Sequence, residues 1–213
     1  MPVSPIHTLR RAVTRFVRDE DASLSVEMIL ILPLLIWGFL TVYTIFDVFR
    51  ARNLALKGNY AVSDLLSRET ASIDTAYLNG VKEVFTYLTQ GGDTTWVRVT
   101  QVYCTAECGD NALRELKVDW SRATDGQDTY DNTDGAGVLN ETVPLLAYGE
   151  RAIVVETSVD YTPPFIPPML KTVARDGYDH GWGFMKRNTF IDTVITEPRF
   201  GPQLCWTGVN GCD

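Results

Sequence analysis

Histidine is nearly missing from this chain: His7 and His180 are the only two in 213 residues. That leaves little material for imidazole acid–base chemistry or for a zinc centre. The G-x-S-x-G turn of serine hydrolases is absent, and so is the Gly-rich P-loop that cradles phosphates. Positive charge is scarce as well, with 19 Lys and Arg against 27 Asp and Glu, a net charge of −8. Beyond Phe46 the imbalance is 15 basic against 23 acidic residues. Binding to a phosphate backbone needs a basic face, so nucleic acid is not an expected partner. There is no internal repeat and no low-complexity tract.

Two acidic groupings could take a cation. Asp176, Asp179 and His180 share a Gly-rich stretch and make half a metal site at most. The plainer reading is a solvated turn, so no metal and no cofactor is expected. Asp125, Asp128, Asp131 and Asp134 recur at every third position, which is not the alternating ligand spacing of an EF-hand. A calcium loop and a flexible surface loop both remain open for residues 125–134.

Charge is also lacking over one long stretch. Residues 28–46 (MILILPLLIWGFLTVYTIF) contain no Asp, Glu, Lys or Arg, and Glu27 stands immediately before them. At about 1.5 Å of rise per residue, a helix of this length nearly crosses a hydrocarbon layer of roughly 30 Å. No polar stripe of the kind a soluble amphipathic helix carries is visible. The stretch therefore reads as a transmembrane helix over residues 23–46. A cleaved secretory signal is a poor fit, because the apolar run exceeds 7–15 residues and Asp47, Val48, Phe49 and Arg50 follow instead of an A-x-A site.

Past the span the helix is expected to continue as a stem over residues 47–70. Val48, Phe49, Leu54, Leu56, Tyr60, Ala61, Leu65 and Leu66 supply an apolar face, with Arg50, Arg52, Lys57, Asp64, Arg68 and Glu69 on the rest. Gly58 weakens such a helix by roughly 1 kcal/mol without ending it. A helix from Ser23 to Arg68 would be on the order of 70 Å long. A second, short helix is expected over residues 73–88, closed by Gly91 and Gly92. The period then changes to alternation over residues 96–103, 115–121, 152–161 and 190–196, rich in Val, Trp, Tyr and Thr, which reads as strands. A Gly/Asp-rich loop (125–137) and a Pro-rich loop (163–168) lie between them. Helices first and consecutive strands afterwards predict an α+β fold: a long N-terminal transmembrane and stem helix, a second short helix, and an antiparallel sheet of about four strands.

Cysteine is sparse, and all four copies follow the span: Cys104, Cys108, Cys205 and Cys212. An even count in two local pairs fits disulfides in an oxidising compartment. Cys104–Cys108 and Cys205–Cys212 is the obvious pairing, but two other connectivities are equally allowed by the count. Zinc fits less well, since six residues separate Cys205 from Cys212. The oxidising side must therefore hold residues 71–213. The N-terminus, with Arg10, Arg11, Arg15 and Arg18, goes to the cytoplasmic side; Arg50, Arg52 and Lys57 leave the charge rule itself only slightly in favour.

The segment RFVRDEDASLSVE, residues 15–27, carries the strongest functional signal. A carboxylate at the head of an apolar helix is costly enough to want a partner. A cut between Ala22 and Ser23 would create an α-amino group four positions before Glu27, available to the carboxylate of a neighbouring subunit. The alternative from physics alone is that Glu27 merely rests among lipid head groups. Pro33 removes a backbone donor and frees the carbonyl of Ile29, which either lets the helix melt locally or leaves an inert kink. Gly38 offers a place for another helix to approach.

The series Arg18-Asp19-Glu20-Asp21-Ala22, then Ser23-Leu24-Ser25-Val26-Glu27, then Pro33, resembles the N-terminus of TadE/TadF-like minor pseudopilins of the tight-adherence (Tad, or Flp) pilus, a branch of the type IV pilus class. Val118-Asp119-Trp120-Ser121, Tyr148-Gly149-Glu150, Val159-Asp160-Tyr161 and Glu197-Pro198-Arg199-Phe200-Gly201-Pro202 are similar to later parts of the same family. Ala22 stands where Gly is commoner, and Met28 follows Glu27 where Phe or Tyr is usual in the major pilin. The resemblance implies a pilin-like fold and a cytoplasmic leader, residues 1–22, removed by a prepilin peptidase after Ala22. It implies a single-pass protein of the bacterial inner membrane with Glu27 recognised during processing or assembly. Its partners would be other pilins or pseudopilins and the Tad assembly machinery, in pilus biogenesis and adhesion, without enzymatic activity. The rival readings are a single-span protein with a periplasmic ligand-binding or sensor domain, and an anchored periplasmic enzyme using Asp176, Asp179 and His180.

Overall fold

Helix, short helix and sheet follow one another along the chain as the sequence orders them, in an α+β arrangement. The computed structural model describes residues 20–91, 94–135, 137–164, 188–209 and 212. Helix α1, Glu20–Arg68, runs for 49 residues and continues straight through Pro33. Its length is about 70 Å at the usual rise. Helix α2, Thr75–Thr89, begins two residues later than the periodicity predicts. The Asp74 carboxylate caps it by accepting from the Tyr77 amide at 2.8 Å. Ile73 is drawn out of the helix by a bridge to Trp206: its amide donates to the Cys205 carbonyl, and its own carbonyl accepts from the Thr207 amide.

The stop of α2 also differs from expectation. Gln90, not a glycine, takes the left-handed position at φ 54°, and the Gln90 and Gly91 amides close the helix on Tyr87 and Thr86. Gly91 is needed for a different reason. A Cβ there would lie 2.4 Å from a Thr95 methyl, where the chain turns toward the sheet.

Strands β1 (Trp96–Ala106), β2 (Glu115–Ala123), β3 (Arg151–Tyr161) and β4 (Asn188–Thr196) form one sheet in the order β2-β1-β3-β4, every pair antiparallel. Alternation decides which side chains share a face. Val97, Val99, Ile153 and Val155 point to the helices and pack with Leu66 and Phe85 of α1 and α2. Val102, Cys104, Leu116 and Val154 point the other way into a second, smaller core. A bulge at Asp119 joins the two patterns on β2, because Trp120 pairs with Gln101 while Val118 pairs with Val102. Asp119 lies on the helix side with Trp120 and accepts from Gln101 at 2.9 Å and Arg151 at 2.8 Å.

The second core is roofed where a loop is expected. Short helix α3 (Asn132–Gly135) lies within the Gly/Asp-rich stretch and α4 (Val138–Thr142) directly follows it, and Leu139, Val143 and Leu146 close the core. Arg114, 4% exposed, ties the roof down by donating to the carbonyls of Asn140, Val143 and Pro144. Burial holds its guanidinium below the usual value.

The buried face of the stem coincides only in part with the expected apolar face: Leu66 is buried and Val48 packs against the core. Phe49, Tyr60, Ala61 and Leu65 are exposed, while Ala55, Gly58, Asn59, Val62, Ser63, Leu66 and Ser67 face the domain. Small side chains let the helix lie close: a Cβ on Gly58 would already touch the Phe85 ring at 3.1 Å. The buried polar side chains of the stem are hydrogen-bonded, as burial demands. Asn59 Nδ2 donates to the Asp192 carbonyl at 2.7 Å, and Ser63 donates to Asn59 Oδ1 at 3.4 Å. In α2, Leu78, Val81, Phe85 and Thr89 are buried, whereas Val84 and Leu88 are 46% and 39% exposed.

Candidate functional site

Most of the first half of α1 is exposed, with Thr44 the buried exception among its described side chains. From Val26 to Phe46 almost every large apolar side chain is exposed, Met28 at 66%, Leu34 at 67% and Phe46 at 70% among them. In water such a helix would leave more apolar area bare than soluble chains carry. Its length and apolarity are those of a helix able to cross a membrane. The polar groups within it are satisfied internally, Thr41 donating to the Trp37 carbonyl and Thr44 to that of Leu40. Gly38 has open space beside it.

Glu27 heads this apolar segment, exposed and with no hydrogen-bond or ion-pair partner among the described residues. Ala22 and Ser23 are helical residues of α1. Pro33 sits six residues beyond Glu27, in the exposed segment.

At the other end of the segment α1 meets the domain through polar contacts. Asp47, the first charged residue after the apolar run, accepts from the Tyr161 hydroxyl at 2.9 Å. Arg52 pairs with Asp192 at 2.9 Å and lies over the Phe190 ring at 5.3 Å from its centre. Burial, then hydrogen bonding to Asp47, then its charge and that of Tyr43 push the Tyr161 hydroxyl well above the ordinary tyrosine value. None of these contacts could be read from the sequence, because they join residues more than a hundred positions apart.

The cysteines form Cys104–Cys108 and Cys205–Cys212. The first closes the tip of β1, and the second holds the C-terminal segment whose Trp206 ring lies 5.4 Å from that of Trp120. An oxidising compartment such as the periplasm suits both.

The acidic loop is tethered, not free. Asp125 pairs with Lys82 at 2.6 Å, which holds its carboxyl below the usual range, and the Asp128 carbonyl accepts from Arg98. Tyr130 joins Arg98 and Glu156 across the sheet. Among the described residues no three His, Cys, Asp or Glu side chains gather as a metal site would require. Asp176, Asp179 and His180, and most of the Pro-rich loop, lie outside the described residues.

Comparison with family models, with curated proteins and with solved structures finds no match for this chain.

Proposed function

We propose that the chain is a minor pseudopilin of tight-adherence type, held in a bacterial inner membrane by α1 with its sheet domain in the periplasm. It acts by contact and not by catalysis, in pilus assembly and adhesion. The observation that carries the reading is Glu27, a carboxylate with no partner among the described residues, at the head of an exposed apolar helix. A charge at the edge of hydrocarbon calls for a partner from outside the chain. The new amine at Ser23 of a neighbouring subunit, released by a prepilin peptidase, has the right sign and lies at the same depth.

The exposed side of the stem supports the same reading. Phe49, Tyr60 and Leu65 face away from their own domain and are free to meet other pilins or pseudopilins. Mass spectrometry of the membrane-extracted protein tests the cut, with Ser23 expected as the first residue. Glu27→Gln should abolish or strongly reduce piliation while the sheet domain keeps its thermal unfolding profile. Normal pili in that variant would remove Glu27 from the mechanism. A polar cleft beside the stem favours the rival, a single-span protein with a periplasmic ligand-binding domain, and an intact leader on the mature protein would select it.

A further inference from the structure

A cleft of about 350 Å³ opens where α1 leaves its apolar segment. Its walls come from the first turns of the stem, the end of α2, the end of β3 and the start of β4, and its charged groups are Asp47, Arg50 and Asp160. The protein leaves these charges largely unspent. Arg50 has no ion-pair or hydrogen-bond partner among the described residues, whereas Arg52, two positions on, is committed to Asp192. Asp47 accepts only from the Tyr161 hydroxyl, and Asp160 from the Thr189 hydroxyl at 2.6 Å. Neither carboxylate meets a cation among the described residues.

One cation and two carboxylates therefore line a single cavity without neutralising one another through an ion pair. A simple anion would meet two negative charges there, and a simple cation would meet the guanidinium. A zwitterion satisfies both. The volume lies at the small end of ligand clefts, roughly 300–1,000 Å³, which suits a head group and not a whole lipid. Asp47 directly follows Phe46, the last residue of the apolar run, so the cleft sits at the depth where phospholipid head groups lie if α1 spans the membrane.

We propose that this cleft holds a phosphoethanolamine group, with the phosphate on Arg50 and the ammonium on Asp160 and Asp47, and that its source is a phosphatidylethanolamine molecule beside the helix. Arg is well matched to phosphate, and charge-assisted hydrogen bonds are the stronger kind. The exposed ring of Phe46, the last residue of the apolar run, would lie along the acyl chains. The proposal rests on the membrane-anchored reading of α1, and the two can fail separately.

The test uses the full chain in mild detergent and native mass spectrometry. Solubility is read first: a chain that stays monomeric in water without detergent removes the anchored reading itself. With that passed, equal amounts of phosphatidylethanolamine and phosphatidylglycerol are offered. Phosphatidylethanolamine should be retained roughly tenfold over phosphatidylglycerol, the ratio that about 1.4 kcal/mol produces. Asp160→Asn and Asp47→Asn, which keep an oxygen to accept from Thr189 and Tyr161, should bring the ratio toward one. Arg50→Gln should lose both lipids, and because Arg50 has no internal partner its unfolding temperature should match the parent. An unchanged ratio in the two Asn variants, or full lipid retention in Arg50→Gln, overturns the proposal. Displacement of the lipid by equimolar free O-phosphoethanolamine would overturn the lipid as source and assign the cleft to a soluble phosphoester.

Discussion

The two halves of α1 are one continuous helix in two surroundings, the first largely exposed and the second packed on the sheet domain. In the half before Asp47 the apolar side chains point outward in every direction and touch little protein. In the half after it, Ala55, Val62 and Leu66 are buried with Asn59, Ser63 and Ser67 between them. The difference shows that apolar content does not tell where a helix packs. A segment that meets no protein face needs only composition, whereas a segment lying on a sheet needs close approach and satisfied hydrogen bonds. Small and polar residues share the stem's contact face with Val62 and Leu66, while Phe49, Tyr60 and Leu65 remain on the outside.

The sharpest way to test that contrast is to cut one leucine back to alanine in each half. Leu66→Ala hollows the core between the stem and the sheet, where Leu66 is fully buried, and should destabilise the domain by about 2–5 kcal/mol. Leu35→Ala in the bare half should leave domain stability within about 0.5 kcal/mol, because Leu35 is 60% exposed to the protein's surroundings. Chemical denaturation in detergent, followed by the near-ultraviolet signal of the Trp120–Trp206 pair, measures both. Equal losses from the two variants would mean that the first half of α1 packs on its own domain.

A polar pair of substitutions gives a smaller effect in the same direction. Asn59→Ala strips the donor from the Asp192 carbonyl inside the stem–sheet contact and should cost about 1–3 kcal/mol. Thr41→Val in the apolar half removes a hydroxyl that only folds back on the Trp37 carbonyl, and should be neutral to unfolding of the domain. If Asn59→Ala is also neutral, the stem is held by apolar contact alone, and the buried polar stripe has no energetic role.

These contacts also mark what the sequence could and could not reveal. The apolar half of α1, the four strands and the local cysteine pairs were legible, because each is announced by composition or period within a short window. The contact face of the stem was not, since Asn59 and Ser63 become core residues only once β3 and β4 lie against them. Helices α3 and α4 are too short to show a period, and the bulge at Asp119 reverses alternation without any local signature. Of the candidate site, Glu27 could be named from the sequence. The cleft at Arg50 could not, because Asp160 and Tyr161 reach it from the far end of β3.

The boundary between the halves gives the last and smallest effect, and its distinguishing sign is read above pH 10. Tyr161, joined to Asp47 at that boundary, has its hydroxyl pushed up by burial first and then by Asp47. Tyr77, outside it, is pushed up to about 12 by burial and then by Glu69. Both groups keep their proton in the native state at a pH where the unfolded chain, near 10.0, gives it up. Unfolding is then favoured by the protons released, so this contribution to stability is intact below pH 10 and is lost as pH rises through the native values. Thermal unfolding of the detergent-solubilised chain between pH 8 and 12 should therefore show a falling midpoint that begins near pH 10. Tyr161→Phe should flatten that fall while costing about 0.5–1.5 kcal/mol at neutral pH for the hydrogen bond to Asp47. An alkaline slope unchanged in Tyr161→Phe would mean that the hydroxyl is not held by Asp47, and that the two halves of α1 meet at that point without a polar latch.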